Sequence, residues 1–411
     1  MPDHRNNWRV TVALFALTGI IESFAFGHLN AFTPLYLEQL NVTPDQIPRW
    51  TGLLAAFGFI LGIPLLPFWG VWADRYSRKL IIVRSSYAGA LMFGLAALSG
   101  NVWQLAAARM LSGLVLGNTG VMLAVQADIT PRERLGLAIA LVTAGNPLGV
   151  ALGPLFGGFV VQRWGVATLL LIDAALTAVV ALLLTLLLHE EPRVRRTDVS
   201  VGALLRESLV NIVGTPLVLR LFGLGFMVML GVSLAGPFVP LRIDQLYTGA
   251  KSQVPLIIGW IVSSMGIAMA VSTPLWGRLS DRIGYVAVLR IGVLSVGLMF
   301  VVQSLAWSLP LFVAGRIGQG LVQGGIDAAL VALIALRTPL DRRASVLNLS
   351  RLPLQLTWFL GPVLGALLSP WGLPPIFGVA AALSFSGFVA ALLLESRDAA
   401  AEHAVPDQAG R

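Results

Sequence analysis

The chain has 411 residues, 56% of them hydrophobic and only 12% charged, with a formal net charge of +8. A soluble domain carries about 25% charged residues, so a water-facing surface is excluded for most of this chain and its solvent is lipid. There is no cysteine, which removes disulfides and thiolate metal sites, and His4, His28, His189 and His403 show no metal-ligand spacing.

The apolar runs, such as Leu169 to Leu188, are about twenty residues or longer. They lack the alternation of a membrane β-barrel. In hydrocarbon every backbone amide must be satisfied internally, so the runs are helices and the fold class is all-α and polytopic. The first run follows Arg5 and Arg9 and continues past Glu22 without a small-residue cleavage pattern, so it is expected to be a retained helix and not a signal peptide. In chain order, charged or turn-rich breaks predict twelve spans: 8–38, 49–72, 80–99, 102–127, 134–161, 166–189, 216–246, 254–277, 284–305, 308–336, 342–369 and 372–395. Most linkers are short. The segment 190–215, with Arg193, Arg195, Arg196 and Asp198, is a polar hinge between an N-terminal bundle (1–189) and a C-terminal bundle (216–395), and 396–411 is a tail.

Basic residues collect on cytoplasmic loops of membrane proteins. With the N-terminus in the cytoplasm, the inner segments hold 21 of the 28 Lys and Arg residues. The outer segments hold Arg49, Arg163, Arg242 and Lys251, and three, Arg109, Arg316 and Arg351, fall inside spans. Both termini are therefore expected to be cytoplasmic in a cell (inner) membrane. The basic excess is a topology signal and not a nucleic-acid footprint.

The halves repeat each other. Phe32-Thr-Pro-Leu-Tyr-Leu-Glu-Gln-Leu40 returns as Phe238-Val-Pro-Leu-Arg-Ile-Asp-Gln-Leu246, 206 residues on, and Gly70-Val-Trp-Ala-Asp-Arg75 as Gly277-Arg-Leu-Ser-Asp-Arg282, 207 on. Arg109-Met-Leu-Ser-Gly returns as Arg316-Ile-Gly-Gln-Gly, also 207 on, and Gly153-Pro-Leu-Phe-Gly157 as Gly361-Pro-Val-Leu-Gly365, 208 on. Four matches in order indicate a duplicated six-helix unit. An even number of spans per half makes the repeats parallel, with a pseudo-two-fold axis along the membrane normal and a substrate site between the halves.

The loop after the second span, Gly70-Val-Trp-Ala-Asp74-Arg75-Tyr-Ser-Arg78-Lys79, resembles the signature loop of the major facilitator superfamily. Arg109 resembles that family's buried arginine. The fifth span, with Gly145, Asn146, Gly149, Gly153, Pro154, Gly157 and Gly158, resembles the glycine-proline motif of its drug:proton antiporter branch. The second loop copy departs from the pattern, with Tyr285-Val286 where arginine-lysine stands in the first. The resemblance implies a twelve-helix transporter working by alternating access. It also implies a cytoplasmic latch from Asp74, Arg78 and Asp128, with Gly70, Arg75, Lys79, Asp281 and Arg282 in the two loop copies. The bland alternative for these charges is loop solubility and topology.

A charge inside a span costs about 3 kcal/mol or more, so it is functional by default. Glu22 and Arg109 come out near the same depth and are expected to share the cavity, with Glu22 as the coupling-proton site; a static ion pair is the alternative. On the tenth span Arg316, Gln319, Gln323 and Asp327 fall on one helical face, lining the cavity or the bundle interior. Asn348, Arg351 and Gln355 answer on the eleventh, where Asp327 and Arg351 are expected to be close, as an architectural, gating or proton-linked pair. Asn146 is a further cavity candidate. Trp260 and Trp358 are candidates to stack on a ligand, lipid-facing or core positions being the alternative. The glycines of the fifth span allow close helix approach, and Pro154 is expected to bend it. Asp173 is expected to be a buried structural carboxylate or close to the outer interface, and His28, near the outer end of the first span, to be interfacial and not proton-relaying.

The resulting expectation is a proton-coupled exporter of small apolar or cationic compounds. It needs no cofactor beyond the proton gradient, and its partners are substrate, protons and the bilayer, as a monomer. A sugar or metabolite carrier on the same fold is the alternative. Neither a nucleophile–base pair nor a nucleotide loop is visible, so an enzyme or receptor and an ATP-driven pump are disfavoured.

Overall fold

The computed structural model describes residues 7–189, 216–337 and 351–392. Among them the regular structure is helical, with no strand. That is the outcome a lipid solvent enforces, because helices satisfy their own amides. The helices are α1 (Trp8–Gln39), α2 (Ile47–Ile60), α3 (Gly62–Arg75), α4 (Arg78–Ala97), α5 (Val102–Met110), α6 (Asn118–Ile129), α7 (Leu135–Leu187), α8 (Pro216–Ala235), α9 (Val239–Leu246), α10 (Val254–Ile283), α11 (Tyr285–Leu305), α12 (Leu309–Arg337), α13 (Arg351–Leu368) and α14 (Pro374–Leu392).

Ten stretches of the described residues are long and apolar enough to cross a membrane. One of these, Arg132–Leu187, holds two spans, because α7 breaks at Gly165 with φ 82° and ψ 170°. With α13 the total is the twelve expected spans. Spans 2, 4 and 7 are each made of two shorter helices: α2–α3, α5–α6 and α8–α9. Side-chain caps start several helices. Asn7 accepts from the Arg9 amide, Ser77 from Leu80, and Asn101 from Trp103 and Gln104.

The bundle has two ends. One, here the terminal face, holds the start of span 1 and the end of span 12; spans turn at the opposite face near Asn41, Leu98, Gly165, Ala250, Ala306 and Gly372. Fully buried phenylalanines, among them Phe15, Phe32, Phe93, Phe238, Phe300 and Phe377, fill the interior. Large apolar side chains such as Leu182, Leu186, Phe159 and Val389 stand exposed on the periphery, as lipid contact requires.

Within the N-terminal half, span 5 lies on span 1 along its glycines. A methyl group at Gly145 would strike the carbonyl of Ala16, one at Gly149 would strike Ile20 and Phe24, and one at Gly153 the carbonyl of Phe24. The C-terminal half repeats the arrangement, with Gly361 and Gly365 of span 11 on Ser233, Leu234 and Phe238 of span 7. The helix geometry of span 5 continues through Pro147 and Pro154, and the single non-helical residue inside α7 is Gly165. The bend expected at Pro154 is therefore not a break in the helix.

The two halves touch through a matching pair of contacts. Gly52 of span 2 packs on Pro362 and Ala366 of span 11, while Gly259 of span 8 packs on Pro154 and Gly158 of span 5. The partners are related by the repeat offsets 207 and 208. Further contacts join Gly266 to Ala151 and the Phe59 ring to Trp358, centroids 5.7 Å apart. These contacts lie in the middle and opposite-face parts of the bundle. Toward the terminal face, α3 packs on α4 and α6 of its own half, whereas α2 packs on α13 of the other.

Candidate functional site

Glu22 projects from the middle of α1 into the interior of the N-terminal half. The Nδ2 of Asn118 donates to both its carboxylate oxygens, at 3.0 and 2.7 Å, and the Ser86 hydroxyl donates at 3.2 Å. The charged side chain acting on it is Arg84 of span 3. Arg84 in turn donates to the Leu116 carbonyl at 3.1 Å and lies over the Trp69 ring, 3.3 Å from its centroid. Four spans thus supply one constellation: Glu22 from span 1, Trp69 from span 2, Arg84 and Ser86 from span 3, and Asn118 from span 4.

The backbone of span 4 decides who meets Glu22. After α5 the chain passes through a 3-10 turn, Leu111–Leu114, and then Gly117 in the left-handed region at φ 91°. A side chain at Gly117 would strike Trp69 as well as strain the backbone. This break rotates α6 relative to α5 and brings Asn118, 4% exposed, to the carboxylate. Arg109, expected beside Glu22, instead donates its Nε to the Leu54 carbonyl at 3.1 Å, tying span 4 to span 2. The partner role falls to Arg84, which the loop count assigned to topology. A helical wheel drawn straight through 109–120 is the wrong projection for span 4, because the left-handed Gly117 resets the register just before Asn118.

The tenth-span stripe does share a face, but it faces inward. Arg316 donates to Gln319 Oε1 at 3.0 Å, and Gln303 of span 9 donates to the same oxygen at 3.1 Å. Gln323 donates to Asp327 at 3.4 Å. Gln319 is fully buried and Gln323 nearly so. Of the two expected placements, cavity or bundle interior, the described geometry fits the interior of the C-terminal bundle, where Gln303 of span 9 meets Gln319. Gln355 directs its Oε1 inward, with no protein partner there among the described residues. Asn348 lies outside the described residues, as does the side chain of Arg351, so the expected approach of Asp327 to Arg351 falls outside them too.

Asn146 stands exposed on span 5 beside Gly19 of span 1. Trp358 contacts Phe59 across the half–half boundary, while Trp260 stands exposed with no described ring contact. At the terminal face Arg78 and Asp128 form an ion pair at 2.7 Å, and Lys79 donates to the Thr185 carbonyl at 2.7 Å. Both links stay inside the N-terminal half. Arg75, Asp281 and Arg282 are exposed there; of Gly70 and Asp74 the described facts are the backbone alone.

His28 departs from expectation, whereas Asp173 takes one of its two expected placements, that of a buried carboxylate. His28 is not interfacial; it is buried, and its Nδ1 lies 2.9 and 3.0 Å from the two oxygens of Asp173, which is itself fully buried. Its Nε2 lies 2.8 Å from the Gly153 carbonyl. Gly157 makes room for the ring, since a side chain there would meet His28 and Phe32. In the sequence the cue was weak: a lone histidine and a lone aspartate 145 residues apart.

Twelve spans in two pseudo-symmetric halves, each with charged groups buried in its interior, define the class of a polytopic membrane transporter. The chain belongs to the Major Facilitator Superfamily, whose family model matches residues 15–224 and again 221–410. It is 29% identical to the multidrug resistance protein MdtG of Klebsiella pneumoniae over 98% of this chain and 97% of that protein. It is 30% identical to the protein of the same name from Citrobacter koseri, over 91% of this chain and 92% of that one. In three dimensions it is similar to the nucleoside transporter NupG, with TM-score 0.74, 15% identity, and coverage of 94% and 100% of the two chains. It is also similar to a bacterial homologue of the lysosomal transporter Spinster, with TM-score 0.74, 17% identity, and coverage of 93% and 95%.

Proposed function

We propose that this chain is a proton-coupled exporter of small apolar or cationic organic compounds that works by alternating access in the cell membrane. The observation that carries the proposal is Glu22, a carboxylate held at mid-membrane by Asn118 and Ser86 with Arg84 beside it. A buried carboxylate exchanging one proton is the simplest coupling device inside a low-dielectric bundle. The full-length similarity to proteins named for multidrug resistance supports the substrate class. The energy source is the proton gradient, with no other cofactor and no ATP, and the working unit is a monomer. Both termini are cytoplasmic, in keeping with the basic residues of the terminal face, so the half–half contacts toward the opposite face correspond to an inward-facing state. The N-terminal bundle (1–189) and C-terminal bundle (216–395) then rock about these contacts, with 190–215 as linker and 396–411 as cytoplasmic tail. Arg78–Asp128 is half of a latch that engages the other half when the carrier faces outward, with Asp281 and Arg282 as its counterpart.

The test is transport of a lipophilic cation into everted proteoliposomes under an imposed pH gradient. The native protein is expected to accumulate it. Glu22→Gln is expected to lose gradient-driven uptake by at least about ten-fold, equivalent to 1.4 kcal/mol, while still exchanging substrate down its own gradient. Undiminished gradient-driven uptake by Glu22→Gln would remove the proton role. Thermal stabilisation by sugars alone would replace the substrate class.

A further inference from the structure

His28 and Asp173 form a buried titratable pair that the transport site above does not use. A neutral imidazole has one N–H and one lone pair, whereas an ionised carboxylate and a backbone carbonyl only accept. Here both ring nitrogens face acceptors: Nδ1 faces Asp173 at 2.9 Å and Nε2 faces the Gly153 carbonyl at 2.8 Å. Turning the ring over would put carbons against both acceptors, so its orientation is set by these contacts. A neutral ring beside an ionised Asp173 closes only one of the two bonds. Closing both takes one more proton. It sits either on the ring, as imidazolium against carboxylate, or on Asp173, which then donates to Nδ1 while Nε2–H serves Gly153. Either arrangement has zero net charge, as a site 1% and 0% exposed within hydrocarbon demands.

Among the described residues no other charged group serves this pair. The packed elements are spans 1 to 8. On spans 2, 4 and 7, Arg49 lies at the opposite-face end, Arg109 donates to the Leu54 carbonyl, Arg242 to Gln245 and the Ala306 carbonyl, and Asp244 pairs with Lys251. On span 1, Glu22 lies six residues away, about 9 Å of rise, and is bonded elsewhere; Glu38 is farther toward the opposite face. Span 3 carries Arg78 and Lys79 at the terminal face and Arg84 beside Glu22, bonded to the Leu116 carbonyl and stacked on Trp69, and span 8 carries Arg278, Asp281 and Arg282 toward the terminal face. Spans 5 and 6 add Arg163, ten residues beyond Gly153 or about 15 Å, and Asp173 itself. The other close neighbours are aromatic: Phe24 meets the His28 ring edge-on at 4.4 Å, and Phe32 lies at 6.4 Å.

The carbonyl that His28 holds belongs to the residue before Pro154, and Pro154 is where span 5 meets Gly259 of the other half. We infer that His28 and Asp173 constitute a second proton-binding site, separate from Glu22, whose bound proton fastens span 5 in the position that closes the opposite face. The sign follows from the donors. When the proton leaves, the remaining ring N–H stays with the carboxylate, the stronger acceptor, and the link to Gly153 opens. Rising pH therefore loosens the contact between spans 5 and 8.

Two measurements test this. In nanodiscs, histidine nitrogen NMR of the native protein, with His28→Gln assigning the signal, and carboxyl infrared spectra, with Asp173→Asn assigning the band, are read around pH 7. An imidazolium at His28 or a protonated carboxyl at Asp173 is expected; a neutral ring together with an ionised carboxylate would overturn the proton site, whether or not the variants fold. Because the chain has no cysteine, spin labels at Asp45→Cys and Ser252→Cys report the opposite face directly. The expected result is a distance that lengthens with pH in the native background and in Glu22→Gln, but no longer responds to pH in His28→Gln or Asp173→Asn. A native pH response in both of the latter would overturn the link to closure. Loss of the response in Glu22→Gln alone would assign it to the transport carboxylate instead.

Discussion

Glu22, Asn118, Ser86 and Arg84 come from three spans, and each bond among them offsets part of the cost of holding a carboxylate out of water. Removing a partner leaves a buried acceptor unsatisfied, which costs about 1–3 kcal/mol. Asn118→Ala is accordingly expected to lower thermal stability by that order and to slow gradient-driven transport. The same change in a Glu22→Gln background is expected to cost measurably less, and additive losses in this double-mutant cycle would deny the coupling. Gly117 supports the site from behind. Its positive φ and its contact with Trp69 make Gly117→Ala expensive, at about 1–2 kcal/mol for the backbone alone. Gly120, with open space where a methyl would go, is the matched control. Equal melting temperatures for Gly117→Ala and Gly120→Ala would show that the turn bears no strain. Glu22 was legible in the sequence because a carboxylate in an apolar run stands out. Its partners were not, since serine and asparagine are unremarkable inside spans and Arg84 lies close enough to a loop to count as one of its charges.

Span 5 shows one helix serving two interfaces. Gly145, Gly149, Gly153 and Gly157 recur every four residues and face span 1, while Pro154 and Gly158 face span 8. The four-residue spacing made a close helix contact legible without a structure. It did not say which helix would fill each face. Substitution on the two faces should have different consequences. Gly149→Val overpacks the seam inside one half, where inserted methyl groups cost about 1–3 kcal/mol, and is expected to reduce folded yield and melting temperature. Gly259→Val acts on the contact between halves. It is expected to leave the melting temperature closer to native but to expose the opposite face. Labelling of Ala151→Cys by a membrane-impermeant thiol reagent in intact cells would reveal this as a faster reaction. An unchanged labelling rate would show that Gly259 packs there without closing anything. The tenth span teaches the converse lesson. Its polar stripe was correctly placed on one face, yet a stripe reads the same whether it meets water or another amide, and only Gln303 of span 9 distinguishes the two.

At the scale of the molecule the half–half contacts come in symmetric pairs, Gly52 with Pro362 and Gly259 with Pro154. The proposed direction in the membrane rests on the charge distribution. Arg132→Cys, on the terminal face, is expected to be protected from an impermeant thiol reagent in intact cells, whereas Asp45→Cys, on the opposite face, reacts; the reverse pattern would invert the topology. Composition, span count, duplication and the family loop were all determined by the sequence itself. Their physical basis is local or additive: hydrocarbon selects runs of apolar residues, headgroup potentials select basic loops, and a repeat offset survives in the order of residues. Which polar groups meet was decided by the tertiary structure alone. Glu22 turns to Asn118 and not to Arg109, and His28 reaches Asp173 across 145 residues. A buried polar atom takes the partner that geometry supplies. That geometry is set by the left-handed Gly117, by the glycine seam of span 5 and by the packing of four spans at once, none of which is a property of one stretch of chain.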